Sequence, residues 1–130
     1  MSTNIMIDLM VPEAVGGGGK RGARLGNHGN KAARKARGLE AALVDNATMT
    51  LEALHPDDER TFSIRVAGPA ALLVAKLHKI GERVDDLGRS RDKDALDLYR
   101  LLKTVQTTTL AEGIVHLRAQ DISRTITGEA

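Results

Sequence analysis

Four residues carry charge where charge calls for a reason: Asp8, Lys76, Asp94 and Asp97. Asp94 and Asp97 belong to the run Arg91-Asp92-Lys93-Asp94-Ala95-Leu96-Asp97-Leu98-Tyr99-Arg100-Leu101-Leu102. Its apolar residues repeat at helical spacing, so two carboxylates three positions apart project from the same side, about one turn from each other. Lys76 sits inside Leu72-Leu73-Val74-Ala75-Lys76-Leu77. Asp8 is a lone acid among Ile7, Leu9, Met10 and Val11, and must face solvent or a site where its charge is compensated. Each residue also has a purely structural reading. Ser90 is a good N-cap, acids are favoured in a first helical turn, and Asp97 can pair with Lys93 or Arg100. Lys76 can snorkel from the rim of a buried face, and Asp8 can sit on the exposed face of an edge strand.

The elements that must position these groups follow from hydrophobic period and punctuation. Asn4–Val11 is a short apolar run stopped by Pro12 and reads as a strand, with Ile7, Leu9 and Val11 on one face and Met6, Asp8 and Met10 on the other. Three more strands are expected at Leu39–Asp45, Met49–Leu54 and Thr61–Ala67, the first two joined by a tight turn at Asn46-Ala47-Thr48. In the third, Phe62, Ile64 and Val66 are expected to point inward. After Gly68 a helix begins with Pro69 in its first turn, and Leu73, Leu77, Ile80 and Val84 trace its core stripe. His78 and Lys79 fall on its flank, with nothing at metal-ligand spacing. A loop over Asp85–Ser90 leads to the helix that carries Asp94 and Asp97 and runs to about Val105, with Leu98, Leu101 and Val105 toward the core. Thr107-Thr108-Thr109 breaks the chain before a last helix from about Leu110 to Arg124. Strands first and helices second predict an α+β domain, a small mixed sheet with helices packed at one side and a helical C-terminal half.

At 130 residues the chain is expected to form a single domain over 1–130, with a sheet part at 1–67 and a helical part at 68–130. Apolar residues make up 42% and charged ones 28%, which excludes an intrinsically disordered composition. One Phe, one Tyr and no Trp require an aliphatic core. The absence of cysteine removes disulfides, thiol chemistry and Cys-ligated zinc. No run approaches the ~20 apolar residues of a membrane span, so no membrane partner and a cytoplasmic location are expected.

The net charge of +2 hides an asymmetry. Between Val11 and Gly38 stand Lys20, Arg21, Arg24, Lys31, Arg34, Lys35 and Arg37 against the single acid Glu13. Gly16-Gly17-Gly18-Gly19-Lys20-Arg21-Gly22 cannot be regular structure and lacks the Gly-x-x-x-x-Gly-Lys-Ser/Thr spacing of a phosphate-cradling P-loop. Lys31–Arg37 is expected to form a turn or two of basic helix. The segment fits either an electrostatic clamp for a polyanion or a solvated loop.

Taken in order, the chain shows an apolar strand with one Asp, a Gly-rich basic loop, a strand-Gly-Pro-helix with one Lys, and a basic-Asp-x-x-Asp helix. This order resembles the C-terminal two-thirds of the AbiEii-like nucleotidyltransferases, members of the DNA polymerase beta-like superfamily that include toxins of toxin–antitoxin systems. The resemblance spans about residues 4 to 105 and rests on Ile7-Asp8-Leu9-Met10-Val11-Pro12, on Gly68-Pro69-Ala70-Ala71-Leu72-Leu73-Val74-Ala75-Lys76-Leu77 and on Arg91-Asp92-Lys93-Asp94-Ala95-Leu96-Asp97-Leu98. It implies that Asp8 is the third metal-site carboxylate, that Lys76 contacts the nucleotide's phosphates, and that Asp94 is an active-site member with Asp97 its companion. It also implies Mg2+ and an NTP as cofactors, and an RNA (such as tRNA) or protein acceptor. Family members carry a Gly-Ser motif and an Asp-x-Asp or Asp-x-Glu pair before the Asp8 strand, and neither is found at a matching position here. The expectation is therefore a truncated or degenerate nucleotidyltransferase-like chain, inactive in isolation. Two further readings compete with it. One is a non-catalytic nucleic-acid-binding module built on the basic segment. The other is an interaction protein whose exposed first strand pairs with an antitoxin or with a second copy.

Overall fold

The computed structural model describes residues 6–84 and 92–130, the side chain of Asp92 excepted. The chain is α+β. Strand β1 (Met10–Pro12) pairs in parallel with β2 (Arg34–Ala36), and β3 (Asn46–Glu52) pairs antiparallel with β4 (Thr61–Ala67). Four helices follow: α1 (Pro69–Glu82), α2 (Asp92–Thr104), α3 (Thr107–Ala119) and α4 (Asp121–Glu129). The two strand pairs remain separate two-stranded sheets. No helix among the described residues is long and apolar enough to cross a membrane.

The buried centre is small and aliphatic, as the lack of aromatics requires. Ala41, Ala70, Ala71, Val74 and Leu117 form it, with Ala42, Val44, Ala67, Ile114 and Ile126 packed around them. Small side chains let α1 and α3 approach closely: a Cβ at Gly113 would stand 2.6 Å from Ala70 Cβ. Helix α1 starts where Gly68 is extended and Pro69 follows. Its first turn is capped from outside, because Asp45 Oδ2 accepts a hydrogen bond from the Ala71 N–H at 2.9 Å.

Several expected elements take a different form, for local reasons. Leu39–Asp45 is not a strand but contains a 3-10 helix, Leu39–Leu43. Leu-Glu-Ala-Ala-Leu favours helix over strand, and Gly38, at φ +88°, turns the chain into it. The buried Glu40 then accepts hydrogen bonds from Gly38 N at 3.0 Å and Ala14 N at 2.9 Å. Asn46-Ala47-Thr48, expected as a turn, opens β3. The basic helix expected at Lys31–Arg37 is replaced by β2, since so short a helix cannot sustain itself while β1 offers a ladder. The first strand starts at Met10 rather than Asn4; Met6 to Leu9 are exposed and irregular, and residues 4 and 5 lie outside the description. The last helix is two helices, broken at an extended Gln120, where Ser123 Oγ donates to Leu117 O at 2.6 Å. Helix α3 begins at Thr107, with Gln106 at its N-cap, so the threonines form its first turn. The Asp85–Ser90 loop and the Ser90 cap lie outside the described residues.

The β3–β4 register puts Ala47 opposite Val66, Met49 opposite Ile64, and Leu51 opposite Phe62 on one face. That face does not turn inward: Phe62 is 61% exposed and Ile64 44%. On α1, Ala70, Ala71 and Val74 are buried, while Leu73, Leu77 and Ile80 are only partly buried and Val84 is exposed.

Gly38 is required twice over, by its positive φ and by His78, whose ring carbon Cδ2 would lie 2.9 Å from an added Cβ. His78 Nε2 in turn donates to Ile126 O at 2.8 Å, tying α1 to α4. Gly38→Ala is expected to destabilise the chain by about 2 kcal/mol. Gly81→Ala, within α1 and facing open space, is expected to stabilise it by roughly 0.5–1 kcal/mol. Urea unfolding of the two variants checks the opposite signs.

Candidate functional site

Helix α1 places Lys76, Lys79 and Arg83 at positions i, i+3 and i+7, one stripe along its side, with Arg83 just past its last turn. Helix α2 lays Asp94 and Asp97 against that stripe. Lys76 Nζ donates to Asp97 Oδ2 at 2.7 Å and to Asp94 Oδ1 at 3.2 Å. Lys79 Nζ lies 3.2 Å from the same Asp94 Oδ1, and Arg83 donates to Asp94 Oδ2. Asp94 is 2% exposed, so its charge is withdrawn from water and answered by three cations. Asp97 is partly exposed and has Arg100 as a looser neighbour at 3.9 Å.

The electrostatics follow the geometry. Burial pushes the Asp94 carboxyl up, but hydrogen bonds from Lys76 and Lys79 and their charges outweigh this and leave it below the ordinary carboxylate range. The Lys76 hydrogen bond holds Asp97 low as well, with the charges of Lys93 and Arg100 adding to it. Lys76 is raised, chiefly by its bond to Asp97. Around the two carboxylates stand five cations: Lys76, Lys79, Arg83, Lys93 and Arg100. Among the described residues the cluster therefore holds more cations than carboxylates, and Lys79 is about half exposed.

Three of the residues singled out from sequence thus meet: Lys76, Asp94 and Asp97. Lys79 and Arg83 complete the cluster and were not singled out. Their spacing from Lys76 was the available signal, since all three fall on one helical stripe. Asp8 stands apart, in an exposed ion pair with Arg34. The described residues offer a poor magnesium site. Both Asp94 oxygens face cations, Asp8 faces Arg34, and no three Asp, Glu or His side chains among the described residues gather as metal ligands. A separate groove of about 500 Å³ is lined by Glu13, Glu40, Arg37, Asp121 and Glu129 and shares no residue with the cluster.

The basic segment divides. Arg34 pairs with Asp8, Arg37 with Glu129, and Lys35 Nζ donates to the carbonyls of Gly17 and Gly19. Lys20, Arg21, Arg24 and Lys31 are exposed. No protein family, characterised protein or solved structure matches this chain.

Replacing Asp94 with Asn leaves three cations facing a neutral amide, and is expected to cost about 3 kcal/mol. Both aspartates titrate lower in the folded chain than in the unfolded one. The stability they contribute is therefore fully present above the unfolded pKa of about 4 and disappears as pH falls through the lower folded values. Denaturation followed from pH 7 down to pH ~2 should show a steep loss below about 4 in the wild type, and a shallower one in Asp94→Asn.

Proposed function

We propose that the chain is a nucleotidyltransferase-like domain whose α1–α2 cluster receives the phosphates of a nucleotide. The observation that carries this reading is the ring of Lys76, Lys79 and Arg83 around the buried Asp94 carboxylate. Residues 18 and 21 positions apart in sequence meet there, in the combination that the resemblance to AbiEii-like nucleotidyltransferases calls for. Asp94 is the anchor: it holds three cations in a fixed fan without leaving an oxygen for another partner. Asp97 is the exchangeable partner, because it is the more exposed carboxylate and can yield Lys76 to an incoming phosphate. Lys79, the most open of the three cations, meets the anion first.

Phosphate oxygens would then replace the Asp97 carboxylate at the Lys76 ammonium, one charge-assisted hydrogen bond exchanged for another. Such a fan stabilises the charge of a triphosphate and fixes its orientation. Transfer of the nucleotide to an RNA or protein acceptor also needs metal-holding carboxylates, and the described residues do not assemble them. Binding, rather than turnover, is the activity assigned to this chain.

Calorimetric titration with ATP at low ionic strength tests the proposal. Lys79→Gln and Lys76→Gln are each expected to weaken binding about tenfold, the loss of one charge-assisted contact, and Asp97→Asn to strengthen it by removing the competing carboxylate. Wild-type protein that takes up no ATP at millimolar concentration would contradict the reading, as would binding unchanged in both lysine variants.

A further inference from the structure

The seven cations of the basic segment do two different jobs. Three of them build the segment. The Lys35 ammonium gathers the Gly17 and Gly19 carbonyls, its stem fills the space beside Gly16, and Arg34 and Arg37 are held by Asp8 and Glu129. The backbone closes around them: Arg24 N donates to Gly16 O at 2.8 Å, Ala23 N to Ala33 O at 2.9 Å, and Lys35 N to Arg21 O at 2.8 Å. Ala23 and Ala33 are buried beneath, and Gly22 passes so close to Asn30 O that a side chain there would collide with it. The glycine-rich stretch is thereby a folded scaffold.

The other four cations, Lys20, Arg21, Arg24 and Lys31, stand on that scaffold, exposed and without an ion pair or side-chain hydrogen bond to the described residues. No acid lies between Glu13 and Glu40 to neutralise them. Four cations shown without partners on an ordered loop form a surface for a polyanion. We infer that Lys20, Arg21, Arg24 and Lys31 form a docking surface for the phosphate backbone of a nucleic acid. A membrane is the poorer partner, because Leu25 is the only large apolar side chain between Gly16 and Ala33 and is half-buried, so the stretch that carries the four cations has no exposed large apolar side chain of its own to insert among lipids. The same stretch has no Phe, Tyr or Trp to stack on a base, which favours contact with the backbone over contact with the bases. Recognition is by charge and spacing alone, indifferent to sequence. This surface shares no residue with the Lys76 cluster, and its test does not depend on nucleotide binding there.

The experiment is fluorescence anisotropy with a mixed-sequence single-stranded RNA, a duplex DNA and, in parallel, sedimentation with phosphatidylserine vesicles, each at several salt concentrations. Four phosphate contacts predict a log–log salt slope of about −3 for the single strand and nearer −4 for the duplex, a loss of affinity of about fiftyfold or more between 50 and 200 mM salt. A variant with Lys20, Arg21, Arg24 and Lys31 all changed to Gln should lose this binding and its salt dependence. Its fold should stay intact by circular dichroism, because those side chains make no ion pair or side-chain hydrogen bond among the described residues. Arg37→Gln, which removes a loop-building ion pair and none of the four, should bind within about twofold of wild type. Failure to bind either nucleic acid, undiminished binding by the fourfold variant, or binding to vesicles alone would each overturn the inference.

Discussion

One buried charge organises the helical half of this protein. Asp94 is almost wholly removed from water, and such a carboxylate is tolerable only if cations surround it. Lys76, Lys79 and Arg83 meet that demand from a single stripe of α1. Because α2 packs chiefly on α1, this ionic contact also decides where α2 sits. Leu98 and Leu101 of α2 are half-buried, but apolar burial does not specify an alignment as the charges do. A slip of α2 by one turn would break the set of three cations that meets Asp94 here.

Helix α1 is consequently loaded on two opposite sides. At 100° per residue, Ala70, Ala71 and Val74 point roughly opposite to Lys76, Lys79 and Arg83. The small apolar side meets α3, α4 and the Leu39–Leu43 turn, where the core lies. The cationic side meets α2. Asp45, at the exit of that turn, caps the helix start, and His78 fastens it to the carbonyl of Ile126. A rigid α1 is what allows three flexible cationic side chains to be held in a fixed fan around Asp94.

The sequence disclosed this arrangement unevenly. Long, strongly periodic segments were legible: α1, the body of α2, and β4 with its clean alternation. The meeting of Lys76 with Asp94 and Asp97 was foreshadowed by the order of motifs, while Lys79 and Arg83 escaped because they look like ordinary flank residues until the stripe is drawn. Short segments were less legible. Leu39–Asp45 has the apolar content of a strand, but its Leu-Glu-Ala-Ala-Leu core and the turn at Gly38 favour a 3-10 helix. Lys31–Arg37 has helical composition, yet backbone pairing with β1 decides its form. The hairpin alternation at Phe62, Ile64 and Val66 correctly identified one face but not its direction, since a period of two cannot say which side is covered. The division of the basic segment into building and displayed cations was invisible to composition. It depends on Asp8, Glu129 and two glycine carbonyls that only the folded chain brings near.

The central claim is that an anion enters the α1–α2 cluster by exchanging with Asp97 at Lys76. The most direct measurement follows the side-chain Cε resonances of the seven lysines by carbon-13 NMR as inorganic triphosphate is added. The account predicts that Lys76 and Lys79 shift together and saturate with a common midpoint before Lys20 and Lys31 respond. Lys76 and Lys79 resonances that stay unmoved while the exposed loop lysines shift would contradict it.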